Sequence, residues 1–204
     1  MVSKQSPLIY KIFNDEVYGA IKLDERYFHI IDTKEFQRLR NIHHLGYSQP
    51  VYPRATHTRF EHSIGVCHLA ETLAKQLQAQ LETEELIFKN ERITITDNEV
   101  ACVAIAGLCH DLGYGPFSHV WKKYLKQEKN IKWKHKKIIS TESFMNICND
   151  PTIWKQLNLT ENERDLIFDF INPASKDAPV DASENAPVDT PENAPVDTPK
   201  DTQH

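Results

Sequence analysis

The stretch GLCHDLGYGPFSH, residues 107–119, ends an apolar helical segment on a His–Asp pair. Residues 97–112, DNEVACVAIAGLCHDL, are apolar almost throughout, which predicts a largely buried helix. An imidazole and a carboxylate buried at the end of such a helix cost free energy unless they are paired or bound to a metal. The pair His110–Asp111 is therefore the first candidate for chemistry, beside a divalent metal ion.

The ends of the neighbouring helices carry their own signals. Asp97 or Thr96 can cap the start of the buried helix, and Gly113 can end it. The turn GYGPFSH contains two glycines and a proline, so its backbone conformation is specific. Ser118 can cap a following helix, SHVWKKYLK.

The composition excludes some classes of protein. A net charge of −5 over 204 residues gives no global basic field for nucleic acid. No apolar run is long enough to span a bilayer and the start lacks a signal peptide, so we expect no membrane and an intracellular location, nucleus or cytoplasm. Without a C-x-x-C pair, we expect reduced, packed thiols at all four cysteines, Cys67, Cys102, Cys109 and Cys148.

The first quarter of the chain predicts a hairpin and a broken helix. Residues 10–23 alternate around turn residues, as a small hairpin at the periphery would. Residues 25–42 predict a helix that breaks at Asp32 and is capped again by Thr33, and Gly46 ends it. The run SQPVYPRA, residues 48–55, predicts an extended crossing because of its two prolines.

The clearest amphipathic helix is predicted over residues 58–80, with His62 in its first turns. A polar linker, residues 81–96, leads to the buried helix. Further helices are predicted over residues 138–149 and 160–171. The apolar stripe predicted for the amphipathic helix is Phe60, Ile64, Cys67, Leu69, Leu73 and Leu77.

The end of the chain has a different composition. APVDASEN, APVDTPEN and APVDTPKD begin at residues 178, 186 and 194 and form an octapeptide repeat. Such Pro-rich, acidic sequence cannot bury enough apolar surface to fold. We therefore predict an all-α, mostly helical domain with a small N-terminal β-hairpin over residues 1–172, and a disordered tail over residues 173–204.

His62, His110 and Asp111 form a candidate metal site. Two imidazoles and a carboxylate suit Fe, Mn, Zn or Ni and leave positions open for water or substrate. The spacing is equally consistent with two buried histidines that are satisfied by hydrogen bonds.

Three segments carry a family resemblance: KEFQRLR at 34–40, HTRFEHSIGV at 57–66 and the 107–119 stretch. They resemble the HD-domain phosphohydrolases and, within them, the SAM-and-HD-domain deoxynucleoside triphosphate triphosphohydrolases. The likeness extends over residues 10–172. It implies a mostly helical HD domain that binds a divalent metal, Fe, Mn, Zn or Mg.

By resemblance, the first three metal ligands are His62, His110 and Asp111, and the fourth is a later Asp. Asp165 and Asp169 fall too early to match that fourth position. The chain therefore looks like the front part of the catalytic domain, truncated relative to the family and joined to an unrelated tail.

The resemblance also implies catalytic residues. His119 matches a proton donor to the leaving oxygen, His135 matches a substrate-site histidine, and Tyr114 stands where relatives usually carry a phosphate-facing His. Arg59 matches a phosphate clamp. From position alone, Arg59 is instead a surface residue that pairs with a nearby Glu, and His135 is a solvated residue of a basic loop.

A guanine nucleotide site between subunits is implied as well, with GTP or dGTP as activator and with homo- or hetero-oligomers, including assembly with a full-length relative. Asp32 would read a guanine edge and Arg40 a phosphate. From sequence alone these positions are an ordinary polar helix face. The matching positions are Lys11, Asn14, Asp32, Gln37 and Arg40.

The expected function is metal-dependent hydrolysis of a dNTP substrate to deoxynucleoside and triphosphate, as in a dGTPase. One alternative is a catalytically impaired regulatory fragment that binds nucleotide and assembles with a full-length relative. Another is an HD phosphohydrolase of a different nucleotide. A further alternative is single-stranded nucleic-acid binding through KNIKWKHKK, residues 129–137, where Trp133 can stack on a base.

Overall fold

The computed structural model describes residues 10–128 and 139–173, and this part of the chain is mainly helical. The predicted class, helical with an N-terminal hairpin, is confirmed; beyond Pro173 the predicted tail lies outside the described residues. The strands are β1 (Tyr10–Asp15), β2 (Gly19–Asp24), β3 (Ile87–Phe88) and β4 (Glu91–Arg92). The helices are α1 (Glu25–Ile31), α2 (Lys34–Gln37), a 3-10 helix (Arg38–Asn41), α3 (Arg59–Thr83), α4 (Asp97–Cys109), α5 (His119–Glu128), α6 (Thr141–Cys148), α7 (Pro151–Leu157) and α8 (Glu161–Ile171).

The antiparallel hairpin β1–β2 packs one face of β2 against the core, whereas β1 has no buried residue and lies at the periphery. Ile21 and Leu23 alternate along β2 and are completely buried. Phe13 of β1 lies opposite Ile21 and stacks on Phe28 of α1 with ring centroids 5.4 Å apart. The alternation signalled a strand pair correctly, but it could not indicate which element covers the apolar face.

The break between α1 and α2 lies where the sequence predicts it. The hydroxyl of Thr33 accepts a hydrogen bond from the amide of Phe36, which caps α2. The helical segment ends at Asn41, well before Gly46. Residues 48–55 form successive turns and are not extended, because proline's fixed φ suits turns as well as extended backbone.

Helices α3 and α4 pack against each other, and α8 packs against α4. Phe60, Ile64 and Cys67 of the predicted apolar stripe are buried, but Leu69, Leu73 and Leu77 are 48%, 58% and 45% exposed. With 3.6 residues per turn, these leucines lie roughly 180–260° around the helix from Phe60. They therefore occupy a different face, and their assignment to the buried stripe is wrong. All four cysteines are buried, which confirms that they are packed, and none forms a disulfide within the described residues.

Two short elements were not predicted from the sequence. The linker contains the hairpin β3–β4, whose turn residues Lys89 and Asn90 have φ of 51° and 65°; two consecutive positive φ angles characterise a tight hairpin turn. Helix α7 begins at Pro151 after the cap Asp150. An acidic cap followed by proline is a recognised helix start, so that signal was present in the sequence.

Candidate metal centre

The His–Asp pair lies in the turn immediately after α4. Thr96 caps this helix through a capping box with Glu99, as one of the two predicted caps. The helix ends at Cys109, earlier than the predicted stop at Gly113. His110 is its C-cap, so the pair is carried by a turn whose amides and carbonyls need partners outside the helix.

Two side chains from elsewhere supply those partners. Arg38 donates hydrogen bonds to the carbonyls of Tyr114 at 2.8 Å and Leu112 at 2.5 Å. The buried hydroxyl of Ser140 accepts from the amide of Gly113 at 2.8 Å and donates to the carbonyl of His110 at 2.9 Å. The side chains of Arg38 and Ser140 therefore hold the turn in place through hydrogen bonds.

Asp111 is 2% exposed and is surrounded by cationic or imidazole nitrogens. Its Oδ2 accepts from Arg59 Nη1 at 2.5 Å and lies 3.6 Å from His62 Nε2. Its Oδ1 lies 3.1 Å from His110 Nε2. Burial alone would raise the pKa of Asp111, but His110 and Arg59 lower that pKa well below its ordinary value. Asp111 is therefore a carboxylate at neutral pH.

His110 faces Asp111, although it lies outside the group of His44, His62 and Asp111 whose ligand atoms are within 4.8 Å of one another. Its Nδ1 lies 2.7 Å from the carbonyl of Gly107, and a carbonyl can only accept, so Nδ1 carries the hydrogen. When Nε2 carries no proton, its lone pair faces the Asp111 carboxylate. A proton or a metal ion between the two relieves that contact, and metal-bound histidines typically donate their other N–H to a carbonyl in this way.

His44 and His62 complete the cluster. A ring nitrogen of each and an oxygen of Asp111 all lie within 4.8 Å of one another, and the two imidazole centroids are 4.1 Å apart. Burial, with positive neighbours, lowers the pKa of both histidines from 6.5 to about 4. Both rings are therefore neutral at pH 7, the form that binds metal. The donor set fits a divalent metal.

The structure brings the three predicted ligands together and adds a fourth residue. His62 and His110 have ring centroids 5.3 Å apart, with Asp111 in contact with both. His44 was missed because it lies outside the motif segments, between KEFQRLR and the proline-containing turns. The His43–His44 dipeptide at the end of a helical segment was the available signal.

Arg59 is enclosed among these residues and is 2% exposed. Besides Asp111, it donates from Nε to the hydroxyl of Ser118 at 3.2 Å and from Nη2 to the carbonyl of His44 at 3.4 Å. Its guanidinium lies 3.4 Å from the centroid of the Tyr114 ring. The surface position considered for Arg59 is therefore wrong, and its donors face the site.

Ser118 links two loops at the site. Its hydroxyl donates to the carbonyl of His43 at 2.6 Å and accepts from Arg59. His119 is exposed at the start of α5, with its ring 5.6 Å from that of Tyr114. His135 lies outside the described residues.

The predicted nucleotide positions include two cations that rest on aromatic rings. Lys11 Nζ lies 4.3 Å from the centroid of Phe28, and the Arg40 guanidinium lies 3.5 Å from that of Phe60. Phe13 contacts both rings, at 5.4 Å and 6.1 Å between centroids. These five residues form what we call the cation–aromatic cluster.

The other three nucleotide candidates lie on the same elements. Gln37 accepts a hydrogen bond from Arg40 Nε at 2.8 Å and donates to the carbonyl of Ile31. Asn14 is exposed on β1, and Asp32 is exposed at the end of α1.

A known protein family matches the part of the chain that contains this site. The family pattern described as the HD domain matches residues 59–147, which include His62, His110 and Asp111. This part of the chain is similar to the HD domain. Within the described residues, no helix is long and apolar enough to cross a membrane.

Similar proteins share this HD region. The deoxynucleoside triphosphate triphosphohydrolase SAMHD1 of Danio rerio is 46% identical over 136 residues, 66% of this chain and 20% of the relative. SAMHD1 of Homo sapiens is 38% identical over 157 residues, which are 75% of this chain and 24% of the relative. The putative HD domain-containing protein L394 of Acanthamoeba polyphaga mimivirus is 38% identical over 170 residues, which are 81% of this chain and 36% of the relative. The chain spans between a fifth and about a third of these relatives.

Proposed function

We propose that this chain is a metal-dependent deoxynucleoside triphosphate triphosphohydrolase. The observation that carries the proposal is the convergence of His62, His110 and Asp111 at the turn after α4, inside the region that matches the HD domain. The similarity to SAMHD1 proteins, which are deoxynucleoside triphosphate triphosphohydrolases, supports the substrate class.

The metal in this proposal is a divalent ion, Fe, Mn, Zn or Mg. The chemistry that such an ion supplies when bound is a water of lowered pKa and a polarised phosphoryl oxygen. The contribution of the protein is to hold Asp111 ionised and the imidazoles of His44 and His62 neutral beside it. Arg59 fixes the carboxylate and partly neutralises its charge, which prepares the site for a polyanionic substrate.

His119 is proposed as the group that donates a proton to the leaving 5′ oxygen, since it is exposed at the start of α5, close to the Tyr114 ring. Tyr114 contributes one hydrogen-bond donor and no charge at neutral pH. His135 is proposed to contact substrate. Arg59 is also proposed to contact a phosphate, once a ligand reaches its side of the site.

Regulation and location are proposed on the same basis. GTP or dGTP would bind as activator at Lys11, Asn14, Asp32, Gln37 and Arg40, within an oligomer of this chain or with a full-length relative. Residues 1–172 would carry these functions, separately from the tail of residues 173–204. The dNTP pool places such an enzyme in the nucleus or cytoplasm.

The test is product analysis on the purified chain with dGTP and Mn²⁺, by ion-exchange separation of triphosphate from other phosphates. We expect deoxyguanosine and intact triphosphate in equal amounts. A double replacement, His110→Ala with Asp111→Ala, should abolish both products. Release of pyrophosphate or of single phosphate would indicate a phosphohydrolase of another class.

A catalytically impaired regulatory fragment is the second candidate. Asp165 and Asp169 are exposed on α8, and neither joins the metal-ligand group of the described residues. A chain of this kind would bind dGTP and release no triphosphate, even with Mn²⁺ present. It would instead change the turnover of an added full-length relative.

A further inference from the structure

His44 lies in a turn, and the surroundings of its imidazole are unusual for a histidine. Among the described residues, its Nδ1 is buried and has no hydrogen-bond partner. A buried polar atom without a partner costs free energy and calls for an explanation such as an ion. Its ring lies against that of His62, with centroids 4.1 Å apart and planes inclined by 34°.

The backbone of His44 is fixed beside the site. Its amide donates to the carbonyl of His57 at 3.0 Å, and its carbonyl accepts from Arg59 Nη2 at 3.4 Å. The preceding residue, His43, forms an antiparallel bridge with Thr58, the residue before α3. His44 is therefore attached to the start of the helix that carries His62, and this attachment needs no metal.

The nearby donors make a common ligand group. One ring nitrogen of His44, one of His62 and one oxygen of Asp111 lie within 4.8 Å of one another. We propose that His44 is a ligand of the metal bound by His62, His110 and Asp111. The inference rests on the proposed function, because it adds a ligand to the metal centre that the function requires.

This ligand set also determines which metals bind well. Three imidazoles and one carboxylate favour transition metals such as Zn²⁺, Fe²⁺ or Mn²⁺ over Mg²⁺, which prefers oxygen ligands and retains water. The centre should thus bind Co²⁺, a spectroscopic substitute for those ions, far more tightly than Mg²⁺. His44 supplies one of the nitrogens on which that preference depends.

The experiment measures Co²⁺ binding to the metal-stripped full chain by visible absorption. The variants are His44→Phe, which keeps an aromatic ring but has no ring nitrogen, Asp111→Asn, and the control His57→Phe. His57 is exposed and its ring centroid is 5.1 Å from that of His44, yet it lies outside the ligand group. Thermal melting of the metal-stripped variants checks that each one is folded.

We expect His44→Phe to weaken Co²⁺ binding by roughly 10- to 100-fold or more and to change the absorption bands. Loss of a residue that only supports a metal ligand already weakens binding by about this factor. His57→Phe should bind within about twofold of the wild-type chain. A hundredfold excess of Mg²⁺ should not displace the Co²⁺, and displacement would contradict the nitrogen-rich site.

A second measurement uses no substitution at all. In the ¹⁵N-labelled wild-type chain, addition of Zn²⁺ should shift a ring nitrogen of His44 together with those of His62 and His110. If Asp111→Asn loses Co²⁺ while His44→Phe retains wild-type affinity and bands, His44 is not a ligand and only this inference fails. If the wild-type chain binds no Co²⁺, the metal centre of the proposed function fails, and the inference fails with it.

Discussion

Arg59 and Phe60 are neighbours in the first turn of α3, yet they belong to two clusters whose charges differ in their exposure to solvent. Arg59 is buried and its charge is matched by the carboxylate of Asp111. Phe60 is also buried, but the cation above it, Arg40, is exposed to solvent. One cluster holds its charges in place inside the protein, whereas the other holds them against aromatic rings at the surface.

The difference has consequences for both stability and function. A buried charge that loses its partner remains desolvated, so each contact in the metal centre supports the fold as well as the chemistry. An exposed cation over a ring is already hydrated, so its removal costs the fold little. The same exposure leaves its charge accessible to an anionic ligand.

The largest effect is expected from Arg59→Met. Methionine fills much of the volume but leaves Asp111 buried without its cation, which should lower the free energy of unfolding by about 3–5 kcal/mol. Urea denaturation of the metal-stripped chain measures this loss. In the double variant with Asp111→Leu, much of the loss should be recovered, because neither charge then remains.

The control is Lys75→Met, which breaks the pair between Lys75 and Glu71 at 2.8 Å on α3. Lys75 is 57% exposed, so this change should cost at most about 0.5 kcal/mol. Equal losses for the Arg59 and Lys75 variants would contradict the distinction between buried and exposed charge.

Ser140→Ala should have the next largest effect. The change removes the partner of the Gly113 amide and of the His110 carbonyl inside the protein, at a cost of about 1–3 kcal/mol. Ser48→Ala is the matched control, since that hydroxyl donates to a carbonyl in an exposed turn, and its cost should stay below about 0.5 kcal/mol. Chemical denaturation of both variants gives the comparison, and a loss no larger than that of the control would show that the turn does not depend on Ser140.

The two clusters were unequally predictable from sequence. The His–Asp turn could be identified because an apolar helix runs into a segment rich in glycine and proline, and those signals are local. His44 could not, because the bridge between His43 and Thr58 places it beside His62 across a set of turns. No periodicity connects residues on either side of such turns.

The fold shows the same limit. The α1–α2 break and the capping box at Thr96 were predictable because caps depend on residues three positions apart. The buried face of β2 was not, since a pattern gives a face and not its neighbour. The exposed leucines of α3 were misassigned for another reason, because their spacing places them on a different helix face from Phe60. Proline-rich residues 48–55 were misassigned because their fixed φ is shared by turns and extended backbone.

Acidification should destabilise the metal-stripped chain through the partly buried imidazoles of His44 and His62. The pKa of His44 and of His62 falls from 6.5 in the unfolded chain to about 4 in the folded one. Between these values the unfolded chain binds more protons, so stability falls as pH decreases from about 6.5 to 4. Because both rings are partly exposed, we expect a loss on the order of 1 kcal/mol.

Urea denaturation at a series of pH values measures this effect, with chelator present to keep the metal out. His44→Phe removes one of the two titrating rings and should flatten the decline. A decline of unchanged slope in that variant would show that the imidazole of His44 is not desolvated in the folded chain.

The smallest effect on stability is expected at the cation–aromatic cluster. Arg40→Ala removes an exposed cation from the Phe60 ring and a hydrogen bond to Gln37, and should cost about 0.5–1 kcal/mol. Under the proposed regulation, the same change should weaken GTP binding about tenfold, because a charge-assisted contact to phosphate is lost. Thermal melting and titration calorimetry measure the two effects separately.

Lys22→Ala is the control for this variant, since Lys22 is an exposed lysine on β2 outside the cluster. It removes the same unit of positive charge and should leave GTP affinity within about twofold. If Arg40→Ala destabilised the chain as strongly as Arg59→Met, the cluster would be a structural element. Because its charge is solvated in the absence of ligand, we expect the opposite: the surface cluster loses binding and keeps its fold, whereas the buried centre loses both.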